Sequence, residues 1–233
     1  LRHSTYYQMY YFTGTDGAGS LPALNAGNTS HRFLADWRFL LQQIGNETVV
    51  LHVEPDLWGY AHHVTDNPHT LPAIVAAANP TDCSADEDTL VGFASCLVRM
   101  VRKYAPNARV GFHASAWATG IDALISKDAS LDMNAQGVQV GAFVKALAPD
   151  ADFVGVEASD RDSDWYRIQK GSDRWWDATN ATAPNFHRAF TWAKAVAETA
   201  GKPVIWWQLP VGNMSLGNVD RSWKDNRVDY FFD

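Results

Sequence analysis

The chain of 233 residues has a formal net charge of -7, and 46% of its residues are hydrophobic while 19% are charged. This balance excludes wholesale disorder and suits one large domain or two small ones. The acidic balance and the lack of a basic stripe argue against a nucleic-acid partner, and no apolar run is long enough to span a membrane.

The first part of the chain predicts strand, helix and strand. Residues 5–12 are aromatic and strand-like, and they run into a Gly/Asp loop over residues 14–20. Apolar residues at helical spacing predict a helix over residues 31–44. The apolar run at residues 49–51 predicts a strand buried on both faces, and Pro55, which has no N–H for a sheet, helps to end it.

The middle of the chain continues this alternation. A polar, histidine-rich loop over residues 61–70 precedes an amphipathic helix over residues 86–104. Residues 109–113 are a strand candidate, and a helix capped by Asn134 extends to about residue 147. The strand predicted over residues 152–157 releases acidic residues into the loop that follows it.

The last part adds a helix over residues 184–200 and a strand over residues 204–209. This α/β alternation requires a parallel sheet with right-handed crossovers. Because polar residues cluster after the strands, we predict a (β/α)8 (TIM-like) barrel, incomplete or distorted. The strands are too widely spaced for eight of them to fit, so we expect residues 1–233 to be a single barrel domain and a fragment of a longer chain.

Acidic and aromatic residues near the predicted strand ends are the candidates for chemistry. The acidic ones are Asp16, Glu54, Asp56, Glu157, Asp160 and Asp162. Hydrolysis of glycosides commonly needs one protonated and one ionised carboxyl group, and this requirement favours the neighbouring pair Glu54 and Asp56. Tryptophans beside strand ends offer ring faces on which sugars stack.

Histidines and cysteines leave further alternatives open. Three of the histidines near the same edge could hold a zinc ion beside Glu54. The five histidines near this edge are His52, His62, His63, His69 and His113. No HExxH spacing appears, and loop histidines that bond substrate or backbone are the simpler interpretation. Cys83 and Cys96 either form a disulfide in an oxidising compartment or remain reduced thiols.

Five short motifs occur in the order that they have in a known family. They are residues 10–16, Glu54-Pro55-Asp56, residues 112–117, residues 156–159 and residues 206–212. In these motifs the chain resembles the glycoside hydrolase family 6 cellulases, which have a distorted, partly open parallel β/α barrel. The resemblance places Asp56 at the family's proton donor and Trp117 at a sugar-stacking tryptophan. The chain has His113 where the family has an aspartate, and it lacks the lysine and acidic pair of the last motif.

The resemblance implies a secreted or periplasmic glycoside hydrolase that cleaves a β-linked polysaccharide without a metal or other cofactor. Asp56 is the expected proton donor, tuned by Glu54, and Glu157 or Asp160 is the expected base or nucleophile. The residues expected to bind sugar are Asp16, Trp58, His113, Trp117, Trp206, Trp207 and Gln208. The missing lysine and acidic pair favour an alternative, a carbohydrate-binding barrel without catalysis, and a zinc-dependent hydrolase is the third possibility.

Overall fold

The structure is a computed structural model that describes residues 3–7, 17–26, 28–218 and 222–232. Within these residues the strands are β1 His3–Tyr7, β2 Val49–Val53, β3 Arg109–His113, β4 Phe153–Glu157 and β5 Val204–Trp207. The α-helices are α1 Gly17–Ala23, α2 Thr29–Ile44, α3 Leu57–Val64, α4 Leu90–Tyr104, α5 Met133–Leu147, α6 Ser163–Lys170, α7 Phe186–Ala200 and α8 Arg227–Phe232. A short 3₁₀ helix covers Pro68–Thr70.

The strands form one parallel sheet whose spatial order, β1-β2-β3-β4-β5, is also their order along the chain. Right-handed crossovers between sequential parallel strands place the connecting helices on one face of the sheet. The predicted α/β class, with parallel strands alternating with helices, is confirmed. The described residues contain five strands and not the eight of a closed barrel.

The apolar core lies between the sheet and its helices. Successive strand residues point to opposite faces, so alternate residues of β2, β3 and β4 enter this core. They are Val49, Leu51, Val53, Val110, Phe112, Val154 and Val156. The opposite face of the sheet, which we call the inner face, carries a different set of side chains. It includes His52, His113, Phe153, Glu157 and Trp207.

Several helices depart from the sequence predictions. Helix α3 extends into the predicted histidine-rich loop 61–70 because its apolar residues form one buried face. The cap of α5 is Asp132, whose side chain accepts the N–H of Ala135, and not Asn134. Helix α6 was not predicted because its sequence is largely polar and lacks an apolar repeat.

Candidate functional site

The segments that follow β2, β3, β4 and β5 meet at one edge of the sheet. The carboxyl ends of parallel strands share an edge, so residues far apart in sequence come together there. They surround an open cleft of about 360 Å³. The cleft is lined by Pro55, Asp56, Trp117, Asp122, Glu157, Asp160, Arg174, Trp207 and Gln208.

The surroundings of Glu157 shift the pKa of its carboxyl group toward neutral pH. Glu157 is the last residue of β4 and is partly buried at the cleft. Burial raises the pKa of Glu157 to about 7, and repulsion from Asp160, Asp56 and Asp122 adds to this while Arg174 opposes it. Near neutral pH the Glu157 carboxyl group is therefore present in both its protonated and its ionised form.

Asp56 lines the cleft, whereas its neighbour Glu54 turns inward. Asp56 occupies the N-cap position of α3. Glu54 has a left-handed backbone (φ 42) and is only 2% exposed. Its carboxylate accepts the backbone N–H groups of Asp56 at 3.3 Å and Leu57 at 3.2 Å. The structure thus gives Glu54 a capping role at the start of α3, and Glu54 is not among the described residues that line the cleft.

Asp160 is held at the rim of the cleft by an aromatic and a basic residue. Its Oδ1 accepts the hydroxyl of Tyr166 at 2.5 Å. Burial and this hydrogen bond raise the pKa of Tyr166 to about 12, so that Tyr166 remains a donor. The Arg174 guanidinium lies 3.5 Å from the centre of the Tyr166 ring and 4.0 Å from Asp160 Oδ1.

Sequence reasoning missed Asp122 and Arg174. Asp122 lies in the loop after β3, and burial raises its pKa while the backbone N–H of Leu124 bonds its carboxylate. A position after a predicted strand is a signal that can be read from the sequence. Asp122 was not singled out because β3 ends several residues before it. Arg174 lies in an irregular segment between α6 and α7 that has no motif or periodicity to mark it.

Two of the predicted indoles lie at the cleft. Trp117 is partly buried, and its ring centre is 4.7 Å from that of Tyr60 in α3. The helix comes close to this loop at Gly59, where a Cβ atom would collide with Ser115 and with the Trp117 ring. Trp207 also lines the cleft.

The other two predicted indoles are packed elsewhere. Trp58 is 1% exposed, donates its indole N–H to the carbonyl of Val53 and packs on Phe112. Trp206 points to the helix face, where Trp176 and other aromatic rings surround it, because it alternates with Trp207 along β5. The prediction that Trp58 and Trp206 are sugar platforms is therefore wrong.

The remaining predicted sugar-binding residues have different positions. Gln208 is exposed, has a positive φ of 45° and lines the cleft. His113 is 3% exposed and lines a smaller chamber of about 30 Å³, which shares Trp117, Asp122, Glu157 and Arg174 with the cleft. Asp16 lies outside the described residues, as do the other residues of 8–16 on which the end of the first predicted strand fell.

Among the residues that the structure describes, the histidines do not assemble into a metal centre. His62 pairs with Asp66 and stacks on Phe143, away from the pair His52 and His113. Across the described residues, the group of three potential ligands that meets is Cys83, Asp86 and Cys96. Its two cysteines are joined to each other as a disulfide. The geometry therefore gives the zinc alternative no support.

Of the two alternatives left open for the cysteines, the structure has the disulfide. It joins two buried residues, Cys83 before α4 and Cys96 within α4. No helix among the described residues is long and apolar enough to cross a membrane.

The chain was compared with protein-family models, with curated proteins and with solved structures, and none of them matches it. A functional conclusion for this chain therefore depends on the chemistry of the cleft.

Proposed function

We propose that the protein is a glycoside hydrolase that cleaves a β-linked polysaccharide in the cleft at the carboxyl edge of the sheet. The observation that carries this proposal is the partly buried Glu157, whose pKa is raised to about 7 beside Asp56 and Asp160. A carboxyl group that is partly protonated at neutral pH, beside further carboxyl groups, suits glycoside hydrolysis, which commonly needs one protonated and one ionised carboxyl group.

The environments favour a division of roles that reverses the expectation from sequence. Glu157 is the proposed general acid, which protonates the oxygen of the leaving sugar. Asp56, which lines the same cleft, is the proposed base or nucleophile. Asp160 raises the pKa of Glu157, and the Tyr166 hydroxyl holds the Asp160 carboxylate in place by a hydrogen bond.

The aromatic residues support a sugar as the ligand. Trp117 and Trp207 both line the cleft and offer apolar ring faces, while Gln208 adds amide hydrogen-bonding groups. The choice of a β-linked glucan rests on the five short motifs, Glu54-Pro55-Asp56 among them, which resemble motifs of the family 6 cellulases and occur in the same order. The sequential strand order supports the proposal that the sheet belongs to a (β/α) barrel. The disulfide supports a secreted or periplasmic protein.

The test is a reducing-sugar assay on a panel of soluble β-glucans, together with calorimetric titration of the same glucans. Glu157→Gln and Asp56→Asn are each expected to lower turnover by at least about a hundredfold with the fold retained. Glu54→Gln is the matched control, since the amide oxygen still accepts the backbone N–H groups of α3, and its turnover is expected to stay within a few-fold of wild type.

The outcomes separate the candidate functions. Binding heat without product in the wild-type protein would support the carbohydrate-binding alternative. Unchanged turnover in both Glu157→Gln and Asp56→Asn would discard the catalytic assignment.

A further inference from the structure

Trp207, one of the two indoles at the cleft, ends β5, the strand at one edge of the described sheet. The next residue, Gln208, has a positive φ of 45°, so the extended backbone stops directly after the indole. Ordering a large side chain at the end of an edge strand costs conformational entropy, which its contacts must offset. The question is therefore which neighbour holds this ring.

The described neighbour that bonds the indole is His113. The indole N–H of Trp207 donates to Nδ1 of His113 at 3.1 Å. An indole nitrogen can only donate, so Nδ1 accepts, and the proton of the neutral imidazole lies on Nε2. His52 Nε2 lies 3.2 Å from the same Nδ1, but Trp207 is the neighbour whose role as donor does not depend on a tautomer.

The position of His113 suits it to fix the indole. His113 is the last residue of β3 and is only 3% exposed. Strand β4 lies between β3 and β5, so the bond ties the edge strand to a strand beyond its direct neighbour. On β4 the residue in register with His113 is Gly155, and a Cβ atom there would collide with the His52 ring. The rings of the inner face therefore have room to meet across β4.

The surroundings of His113 keep it in the form that accepts. Burial lowers the pKa of His113 well below its ordinary value, and the neighbouring His52 lowers it further. A protonated imidazole has a hydrogen on each ring nitrogen and could not accept the indole N–H. The acceptor is therefore present around pH 7, where Glu157 changes its protonation.

We propose that His113 is a positioning residue of the cleft, which accepts the indole N–H of Trp207 and so holds the Trp207 ring in the orientation that stacks on a sugar. This role differs from the direct bond to a sugar that the sequence led us to expect for His113. The stacking on a sugar rests on the proposed function, whereas the anchoring of the indole does not.

The anchor itself is tested without substrate, by nuclear magnetic resonance of protein labelled with ¹⁵N in histidine and tryptophan. Near neutral pH, His113 of the wild-type protein is expected to carry its proton on Nε2. His113→Leu removes the acceptor, so exchange of the Trp207 indole hydrogen with solvent is expected to accelerate by about tenfold. His113→Asn supplies an amide oxygen in place of Nδ1 and is expected to restore slow exchange. A proton on Nδ1 in the wild-type protein, or unchanged exchange in His113→Leu, would overturn the proposal.

A double-mutant cycle with a soluble cello-oligosaccharide tests whether the anchor serves binding. Since one hydrogen bond to the stacking ring is lost while Glu157 stays in place, His113→Leu is expected to raise KM by about two- to tenfold and to change kcat less. Trp207→Phe keeps an aromatic face but has no N–H to anchor. In the Trp207→Phe background, His113→Leu is expected to leave KM within about twofold. Equal increases in the two backgrounds would show that His113 acts through general packing, and the positioning role would be rejected.

His62→Leu is the matched control for the loss of a buried histidine. His62 pairs with Asp66 and has no contact with Trp207 among the described residues, so neither indole exchange nor KM is expected to change. If the protein cleaves no glucan, the proposed function fails, while the exchange measurement still decides whether His113 anchors the indole. If the protein cleaves glucan and His113→Leu leaves KM unchanged, the proposed function stands and the positioning role fails.

Discussion

Glu157 and Asp56 line one cleft although Glu157 ends β4 and Asp56 follows β2, two strands that are not neighbours in the sheet. The negative charge of Asp56 helps to raise the pKa of Glu157 to about 7, after the larger effect of burial. The two carboxyl groups therefore differ in their surroundings, and this difference is the basis of the roles proposed for them.

The pH dependence of activity is expected to follow Glu157. A general acid must hold its proton, which it does below its pKa and loses above it. With the pKa of Glu157 raised to about 7, kcat/KM is expected to be retained below about pH 7 and to fall as the pH rises through it. A profile of kcat/KM against pH checks this; an activity that falls already near 4.5, the ordinary value for glutamate, would contradict it.

The charge of Arg174 is expected to set the position of the alkaline limb of this profile, the pH range in which kcat/KM falls. Arg174 stabilises the ionised form of Glu157, so Arg174→Met is expected to raise the pKa of Glu157 and move the limb to higher pH. Asp160→Asn removes a like charge and is expected to move it the other way. The control is Lys170→Met, which removes a positive charge from α6 at a residue outside the cleft lining.

Trp58 and Trp117 are expected to respond differently to truncation. Trp58 is fully packed, so Trp58→Ala is expected to lower the free energy of unfolding by about 3–5 kcal/mol. Trp117→Ala is expected to cost less stability and to raise KM for a soluble glucan by up to about tenfold, since it removes a stacking surface. Urea unfolding and steady-state kinetics measure the two effects, and a KM that Trp117→Ala leaves unchanged would remove Trp117 from the site.

The buried ion pair of Asp225 and Arg227 is expected to support the wall of the cleft. Both side chains are 0% exposed, and the guanidinium also donates to Ser163 Oγ and to the carbonyl of Arg174. Asp225→Asn leaves a buried charge without its partner and is expected to lower the free energy of unfolding by about 3–5 kcal/mol.

A double variant tests whether this cost comes from the broken pair. Asp225→Asn combined with Arg227→Met is expected to cost less than the sum of the single changes, because the orphaned charge is gone. Glu198→Gln, in the exposed pair with Lys194, is the control and is expected to change stability little. Additive costs in urea unfolding would contradict the interpretation.

The disulfide is expected to contribute stability and not activity. It joins positions 13 apart in sequence, and a closed loop of about that length contributes about 3 kcal/mol in the chain-entropy account. Replacing both Cys83 and Cys96 by Ala is expected to lower the free energy of unfolding by about that amount. The turnover of the folded variant is expected to be unchanged, since neither residue lines the cleft.

Much of the sheet could be predicted from the sequence because its strands are short apolar runs between turn residues. Strand β3 has the predicted bounds, and β4 differs by one residue at its start. Helices α1 and α6 were missed because tertiary contacts, and not an apolar repeat, hold such short segments in place. The same limit made the histidine-rich segment look like a loop when its first residues belong to α3.

The sequence by itself determined the alternation of strands and helices and the acidic and aromatic residues that follow the strands, since these depend on local pattern. Only the tertiary structure decided which of them share a cleft. Glu54 and Trp58 are buried, so Glu54 caps the backbone of α3 and Trp58 packs in the core. Since successive residues of β5 point to opposite faces of the sheet, Trp206 packs on the helix side and Trp207 lies at the cleft. Only the fold shows that Asp122 and Arg174 belong to the site. Their effects depend on burial and on distances between charges in space, which the spacing of residues along the chain does not set.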